Sequence, residues 1–355
     1  AAITVGSGGR ASFYTGSVAG TTALAASIGS SSGRFRYNSD ESTANYTTAL
    51  STGLNAIYRE AVAVTVTTNS QTMTYGDALG STGSATGLVN GDTATYTISG
   101  ASYSTSNNLN VGSYNIVSCG PSGVGYTVTT TSGTLTVNKK ALLITAGSAS
   151  NKVYDGATSA TVTAGTLSGF IGMETVTATA TGTFADKNAA NSKTVTLAYT
   201  LANGVNGGLA SNYSLANTTT TANITAKALS ITAGSATSKV YDGTAAATVA
   251  AGTLSGFIGS ETVTTTVVGT FADKNAANGK TVTLAYTLVN GNGGGLASNY
   301  SLANTTTTAN ITAKALSITA GSATNKVYDG ATSAVVTVGT LSGFIGTETV
   351  TATAA

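Results

Sequence analysis

The chain has 355 residues, of which 8% are charged and 44 are glycine, and its net charge is +2. Its lysines and arginines are too few and too scattered for a nucleic-acid surface, and its single cysteine, Cys119, excludes a disulfide within this sequence. Because histidine is absent, catalysis by a Ser-His or Cys-His pair is excluded too. No apolar run approaches the ~18 residues that span a bilayer, so we expect no membrane-spanning segment.

Residues 1–59 form a Gly/Ser-rich segment with weak periodicity. Short stretches at 34–37 and 55–58 predict short strands separated by loops. All four arginines lie before residue 60, whereas all eleven lysines lie from Lys139 onward. This division indicates that at least two different sequence types have been joined.

Residues 60–138 form a second unit with clearer strand patterns. Turn signals such as Asn90-Gly91 and the glycines around Pro121 separate them. A lone cysteine in a β-rich chain is usually a small buried apolar residue, so we expect Cys119 to be mostly buried near Val117 and Tyr126. The predicted strands are 61–67, 93–98, 113–118, 126–130 and 134–137.

An 87-residue unit repeats through the rest of the chain. The tripeptide Tyr-Asp-Gly recurs at 154–156, 241–243 and 328–330, and the first two copies differ at about 15 aligned positions without a gap. The copies occupy 139–226, 227–313 and, in part, 314–355. Near-identical tandem units favour an array whose function depends on length and number.

The clearest strand pattern of the repeat is at 194–201. Val195, Leu197, Tyr199 and Leu201 alternate with threonine and alanine, which predicts a half-buried strand with a hydroxyl-rich exposed face. Without a convincing helical period, the pattern predicts an all-β unit, a small antiparallel, Ig-like β-sandwich. A β-grasp-like unit is the alternative. Further predicted strands are 142–146, 160–164, 174–182, 213–216 and 219–225.

The joint between repeats has no flexible linker. The sequence runs from Asn223-Ile224-Thr225-Ala226 directly into the strand-like Lys227-Ala228-Leu229, with no glycine or proline between them. Flexible linkers are rich in glycine and serine. We therefore expect the units to form a stiff, extended rod.

Several short motifs resemble those of a known group of proteins. The repeat contains Lys-Val-Tyr-Asp-Gly, Glu-Thr-Val, Lys-Asn and Ser-Asn-Tyr-Ser-Leu, at 152–156, 174–176, 187–188 and 211–215, and resembles the YDG-type repeat of filamentous haemagglutinin-like adhesins. Residues 60–138, with Thr-Tyr-Gly-Asp at 74–77, resemble the MBG-type repeat found beside it. Stretches at 33–41 and 56–60 resemble the segment that often precedes such repeats.

This resemblance implies a Gram-negative exoprotein, extracellular or at the cell surface and exported by two-partner secretion. The partners that it implies are an outer-membrane transporter during export and a host or neighbouring-cell receptor bound through regions outside this sequence. The β-helical region that carries the export signal in such proteins is also outside it.

The residues assign no catalytic, cofactor-binding or metal site. Asp155, Glu174 and Asp186 are the carboxylates of one repeat, and nothing in the sequence pairs them for acid–base catalysis. Asp155 is expected in a tight turn in which Gly156 has a positive φ. Calcium at a unit junction, an isopeptide crosslink from Lys140 or Lys227, and glycans on Asn-x-Ser/Thr triplets stay open alternatives. These triplets begin at residues 45, 212, 217, 223, 299, 304 and 310.

The sequence therefore predicts a non-enzymatic stalk or spacer segment of a secreted or surface-displayed bacterial adhesin, which projects a functional tip away from the cell. The alternative is a multivalent module whose repeats bind a carbohydrate or partner. A spacer should bury Phe170, Phe184 and Tyr199, whereas a binding module should expose aromatic rings along a groove.

Overall fold

The computed structural model describes residues 3–30, 32–40 and 49–354, and these residues divide into two compact units. The first unit runs through Gly147 and includes Thr163–Thr181 and Leu197–Thr218. The second consists of Ser148–Val162, Gly182–Thr196 and the described residues from Thr219 onward. The protein is built of tandem all-β units, as predicted. No helix in the described part of the chain is long and apolar enough to cross a membrane.

The first unit begins with a parallel sheet and a helix. Strand Arg10–Thr15 pairs with Gly53–Tyr58, which pairs on its other side with Phe35–Arg36. The helix Thr22–Ile28 was not predicted. Its seven residues give too short a window for helical periodicity, and its burial against the sheet decides its conformation.

Two further sheets follow in the first unit. Both sheets contain parallel and antiparallel pairs. The parallel pairs join strands that are distant in sequence. All five strands predicted between 60 and 138 are present, with shifted ends, and two more were missed. The first sheet has the order Gln71–Thr74, Gly133–Asn138, Gly112–Pro121 and Ala94–Ser99, and the second has the order Gly83–Thr86, Ala63–Thr68 and Thr127–Thr131.

Cys119 is exposed, so the prediction that it is buried is wrong. The strand Gly112–Pro121 pairs with Ala94–Ser99, and the register shifts by one residue at Cys119. At this bulge the Cys119 side chain points outward, with its Sγ 3.6 Å from Thr97 Oγ1. The expected neighbour Val117 is itself exposed.

The second repeat lies wholly in the second unit and is organised by one long hairpin. Ser230 pairs with Ser255 and Ala236 with Val249, and both pairs follow one antiparallel register. The Tyr-Asp-Gly sequence, residues 241–243, lies at the hairpin tip. The arms consist of the short strands Ser230–Ile231, Ser235–Ala236, Lys239–Val240, Ala246–Ala247, Val249–Ala250 and Leu254–Ser255.

The two arms near the tip form both edges of a five-stranded sheet. Lys239–Val240 pairs in parallel with the last strand, Thr305–Thr312, and Ala246–Ala247 pairs with Val263–Phe271. Between them lies the 14-residue strand Ala277–Asn290. The sheet is therefore mixed and almost closes on itself, whereas the sequence predicted antiparallel pairing throughout.

The alternation predicted for the central strand is confirmed. In the second repeat Val282 and Leu284 are fully buried, while Thr281 and Thr283 are exposed. In the first repeat Val195 and Leu197 are likewise fully buried. The apolar face packs into a core that includes Phe271, Ala309 and Ile311.

Every strand of the second repeat has a counterpart 87 residues earlier, so the two copies have the same strand order. The predicted strands of the first copy exist, but those in its hairpin are broken into two-residue pieces. The first copy has strands Lys140–Ala141, Leu143–Ile144, Ser148–Ala149, Lys152–Val153, Ser159–Ala160, Val162–Thr163, Leu167–Ser168, Val176–Phe184, Ala190–Asn203, Tyr213–Ser214 and Thr218–Thr225. The second copy also has Lys227–Ala228 and Tyr300–Ser301, and the third has Ser317–Ile318, Ser322–Ala323, Val336–Thr337 and Leu341–Ser342. Single 3-10 turns span Ala210–Asn212 and Ala297–Asn299.

Candidate functional site: carboxylate–tyrosine junctions

In the second unit a buried glutamate of the second repeat holds side chains of the first. Glu261, just before the strand Val263–Phe271, accepts hydrogen bonds from Tyr154 (2.7 and 2.9 Å) and Lys187 (2.7 Å) of the first repeat. It also accepts one from Tyr300 of its own repeat (2.7 Å). Tyr154 and Glu261 are 1% and 6% exposed, so water competes little for these bonds.

An asparagine adds a second attachment beside the glutamate. Asn299 is fully buried, and its Oδ1 accepts a hydrogen bond from the Ala189 backbone N–H (2.8 Å). Its Nδ2 donates to Asn188 Oδ1 (3.1 Å). The amide thus uses both its donor and its acceptor on the loop that follows Lys187.

The turn that presents Tyr154 is fixed by its neighbours, as predicted for Asp155 and Gly156. Asp155 Oδ1 accepts the Ala157 backbone N–H (2.9 Å) and the Lys152 ammonium (2.8 Å). Gly156 has φ +79°, and a Cβ there would meet the Ile258 side chain of the second repeat at 2.9 Å. Only glycine meets both requirements at this position.

The first unit contains a junction of the same design between residues 60–138 and the first repeat. Tyr75 donates to Glu174 (2.7 and 2.9 Å), and Tyr213 donates to the same carboxylate (2.7 Å). Asn212 accepts the Val111 backbone N–H (3.0 Å) and donates to Asn110 (2.8 Å). Among the described residues no lysine forms an ion pair with this carboxylate, and the nearby serine side chains at 104 and 106 also lower its pKa.

A related cluster joins the N-terminal segment to the following residues, also inside the first unit. Asp92 is 5% exposed and accepts hydrogen bonds from Tyr37 (2.9 Å), Tyr126 (2.8 Å) and Ser122 (3.0 Å). Each of these three clusters thus contains one carboxylate, one tyrosine from its own domain and one from the preceding segment.

The hydrogen bonds keep the buried glutamates ionised. Burial alone would raise the pKa of Glu261, but donors from Lys187, Tyr154 and Tyr300 outweigh it and leave this pKa below its ordinary value. The same balance, with Tyr75 and Tyr213 as the leading donors, lowers the pKa of Glu174. Burial raises the pKa of Tyr213, so the phenol stays protonated and donates.

The third copy shows the same tyrosine–glutamate pair. Glu348 accepts hydrogen bonds from Tyr241 and Lys274, which lie 87 residues after Tyr154 and Lys187. Here the glutamate side chain is 42% exposed.

The predicted carboxylates of the first repeat have separate partners. Asp155 pairs with Lys152, Asp186 with Lys193 (2.7 Å), and Glu174 with tyrosines. In the described part of the chain no cluster of His, Cys, Asp or Glu could hold a metal ion, and the recorded ion pairs there do not include Lys140 or Lys227. The arrangement serves to dock one domain on the next.

The asparagine triplets fall into distinct environments. Asn212 and Asn299 are buried in junctions, and Asn223 and Asn310 accept backbone hydrogen bonds. Those at 217 and 304 are exposed, and Asn45 lies outside the described residues.

Sequence reasoning did not assign Lys187, Asn188, Asn299 or Tyr300 to a junction. Their signal was present, because the Lys-Asn and Ser-Asn-Tyr motifs recur with the 87-residue period although they add little to the core pattern. A polar motif that repeats with each unit indicates a contact that also repeats.

Comparison with known families identifies domains on both sides of these junctions. The YDG domain family matches residues 138–222 and 225–309, and the MBG domain (YGX type) family matches residues 64–136. No curated protein matches the chain. A crystal structure of Drosophila N-cadherin EC1-4 is similar at a TM-score of only 0.16, with 9% identity over 70% of this chain and 74% of that one. The chain thus contains one MBG domain of the YGX type followed by two YDG domains.

Proposed function

We propose that this chain is a non-enzymatic stalk segment of a secreted or surface-displayed bacterial adhesin and that it projects a functional tip away from the cell. MBG and YDG repeat domains fit a surface adhesin-like repeat protein. The observation that carries the proposal is the buried carboxylate–tyrosine junction. In it, the motif residues of each repeat form hydrogen bonds that hold the adjacent domain in place.

The junction between the two YDG domains has more than one attachment. Thr225 leads through Ala226 into the second domain, and the Tyr154 backbone N–H donates to Thr225 O (2.8 Å). Tyr154 therefore holds Glu261 from the strand beside the covalent connection, and Asn188 adds a third point through Asn299. A single covalent link would act as a hinge, whereas three separate attachments resist bending and twisting.

The aromatic rings favour the stalk over the multivalent binding alternative for the YDG domains. Phe184 is buried, and Phe170 and Tyr199 are half-buried. Throughout 139–313, all of which the structure describes, no tyrosine or phenylalanine side chain is exposed. An aromatic groove is the feature that a repeated carbohydrate-binding surface would need.

Export and location follow from the resemblance to filamentous haemagglutinin-like proteins. We propose a Gram-negative source, secretion by an outer-membrane two-partner transporter, and receptor binding by parts of the protein outside this sequence. These proposals predict a gene for such a transporter beside the gene for this protein.

Small-angle scattering of chains with added copies of 227–313 tests the stalk proposal. Each copy should lengthen the maximum dimension by a nearly constant increment, because each junction repeats one geometry. A maximum dimension that rises much more slowly with each added copy would indicate units folded side by side and would contradict the stalk.

A further inference from the structure

The MBG domain has a cavity beside the turn that docks on the first YDG domain. Its volume is about 340 Å³, within the ~300–1,000 Å³ typical of small-molecule sites. It lies between the Tyr75-Gly76 turn and the loop that runs from Tyr103 to Leu109, both inside the first unit. The stalk proposal gives it no role.

One side of this cavity is apolar and carries an exposed ring. Tyr103 is 54% exposed and Leu79 is 44% exposed, while Leu109 at the base is buried. Exposed aromatic rings are absent from 139–313, so Tyr103 differs from every aromatic residue of the two YDG domains. An exposed ring beside a cavity offers a flat apolar surface to a ligand.

The cavity also presents polar atoms. Asp77 Oδ2 accepts the Thr74 backbone N–H (2.9 Å), but within the described part of the chain Asp77 Oδ1 and the side-chain amide of Asn107 have no hydrogen-bond partner. A carboxylate oxygen accepts from hydroxyl groups, and an amide both donates and accepts. This side therefore suits a ligand with adjacent hydroxyl groups.

The cavity walls are held in place before any ligand binds. Asn107 N–H donates to Ser104 O (3.0 Å), Ser104 N–H donates to Asn108 O (2.8 Å), and Tyr103 forms a β-bridge with Leu109. On the opposite wall, a Cβ on Gly76 would overlap Ile171, so this turn packs against the first YDG domain. A pre-formed site loses less conformational entropy on binding.

We propose that this cavity of the MBG domain binds a single neutral sugar ring. The ring's C–H face would stack on Tyr103, and its vicinal hydroxyls would bond to Asp77 and Asn107. The inference does not rest on the stalk role, and it confines carbohydrate binding to one domain of the chain.

Saturation-transfer difference NMR with the whole chain tests the proposed sugar binding. The probes are the methyl glycosides of glucose, galactose and mannose, and the control is cyclohexanol, a six-membered ring without vicinal hydroxyl groups. We expect at least one glycoside to show transfer, to compete with the free sugar, and to bind more tightly than cyclohexanol. No transfer to any glycoside, or equal binding of cyclohexanol, would overturn the proposal.

Substitutions locate the binding. Tyr103→Ala should weaken binding of the responding glycoside by about tenfold. Asp77→Asn should also weaken binding, although the asparagine can still accept the hydrogen bond from the Thr74 backbone N–H. The control is Tyr328→Ala, because Tyr328 is 94% exposed and lies far along the sequence in the third copy. Circular dichroism shows whether each variant is folded. Unchanged affinity in folded Tyr103→Ala, or equal loss in Tyr328→Ala, would place any binding elsewhere.

Discussion

At the scale of single residues, the recurring feature of this protein is a buried carboxylate that accepts hydrogen bonds from several hydroxyl groups. Isolated buried charges are costly, but Glu174 accepts hydrogen bonds from two tyrosines, and Glu261 accepts them from two tyrosines and a lysine. Glu261 thus has a cationic donor, whereas the donors to Glu174 among the described residues are neutral hydroxyl groups. The two junctions therefore differ in how their charge is compensated although their shape is similar.

Removal of one phenol hydroxyl should weaken a junction measurably. Tyr154→Phe leaves Glu261 with one donor fewer, and hydrogen bonds to charged groups contribute about 1.5–3 kcal/mol. Urea unfolding should show a loss of this size. Tyr286→Phe is the matched control, because its hydroxyl shares a hydrogen bond with the neutral hydroxyl of Thr305, and loss of that bond should cost about 1 kcal/mol. Equal losses in the two variants would argue against a special role for the glutamate.

The junctions should weaken in acid. The pKa values of Glu174 and Glu261 in the folded protein lie below the ordinary 4.5, so the unfolded chain takes up protons first as the pH falls. Their contribution to stability is complete above pH 4.5 and is lost as the pH falls through the folded-state pKa values. Surface aspartates such as Asp242, whose pKa the Lys239 ammonium lowers to about 2, add to the loss.

Comparison of the wild type with the double variant Glu174→Gln/Glu261→Gln isolates the contribution of the two buried glutamates to the pH dependence of stability. The free energy of unfolding should fall less steeply with decreasing pH in the double variant than in the wild type. Parallel curves would show that the buried glutamates do not contribute to acid sensitivity.

At the scale of elements, the hairpin of each repeat serves two functions. Its tip closes the sheet, because Lys239 at one arm donates to Ala246 O on the other (2.9 Å). The same tip presents the tyrosine that meets the next repeat. Fold closure and docking therefore depend on one turn.

The glycine of this turn should be hard to replace, because it combines a positive φ with a contact to the next repeat. Gly156→Ala places a Cβ at a position with a positive φ and only 2.9 Å from the Ile258 side chain. We therefore expect the free energy of unfolding, measured in urea, to fall by more than about 1 kcal/mol. Gly279 is the control, since it also has a positive φ but open space around it, and its counterpart in the first repeat is Ser192. Gly279→Ser should therefore be nearly neutral. A comparable loss in both variants would leave the docking contact without effect.

At the scale of the whole molecule, the proposed stalk requires junctions that do not act as hinges. Thr196→Cys and Thr283→Cys, in a Cys119→Ser background, place one spin label on an exposed strand face of each YDG domain, and both positions lie in the second unit. Pulsed electron resonance should give one narrow distance distribution for this labelled chain. Glu261→Ala should broaden it, whereas the surface control Asp186→Ala should not. A broad distribution in the parent chain would contradict stiff junctions.

The sequence by itself determined the repeat, the all-β class and the buried face of the long strand, because these depend on periods of 87 and of two residues that are visible in one dimension. It also identified the Tyr-Asp-Gly turn from local chemistry. Strand pairing was less predictable: the parallel edge pairs, the short helix and the bulge that exposes Cys119 depend on neighbours distant in sequence.

Only the tertiary structure decided what the motif residues do. Tyr154 and Glu261 are 107 residues apart, and no local pattern relates them. Their meeting requires the hairpin tip, the Lys187 loop and the start of another domain to come together. The sequence showed that these polar residues recur, but only packing showed that they meet, because burial of a charge depends on every group around it.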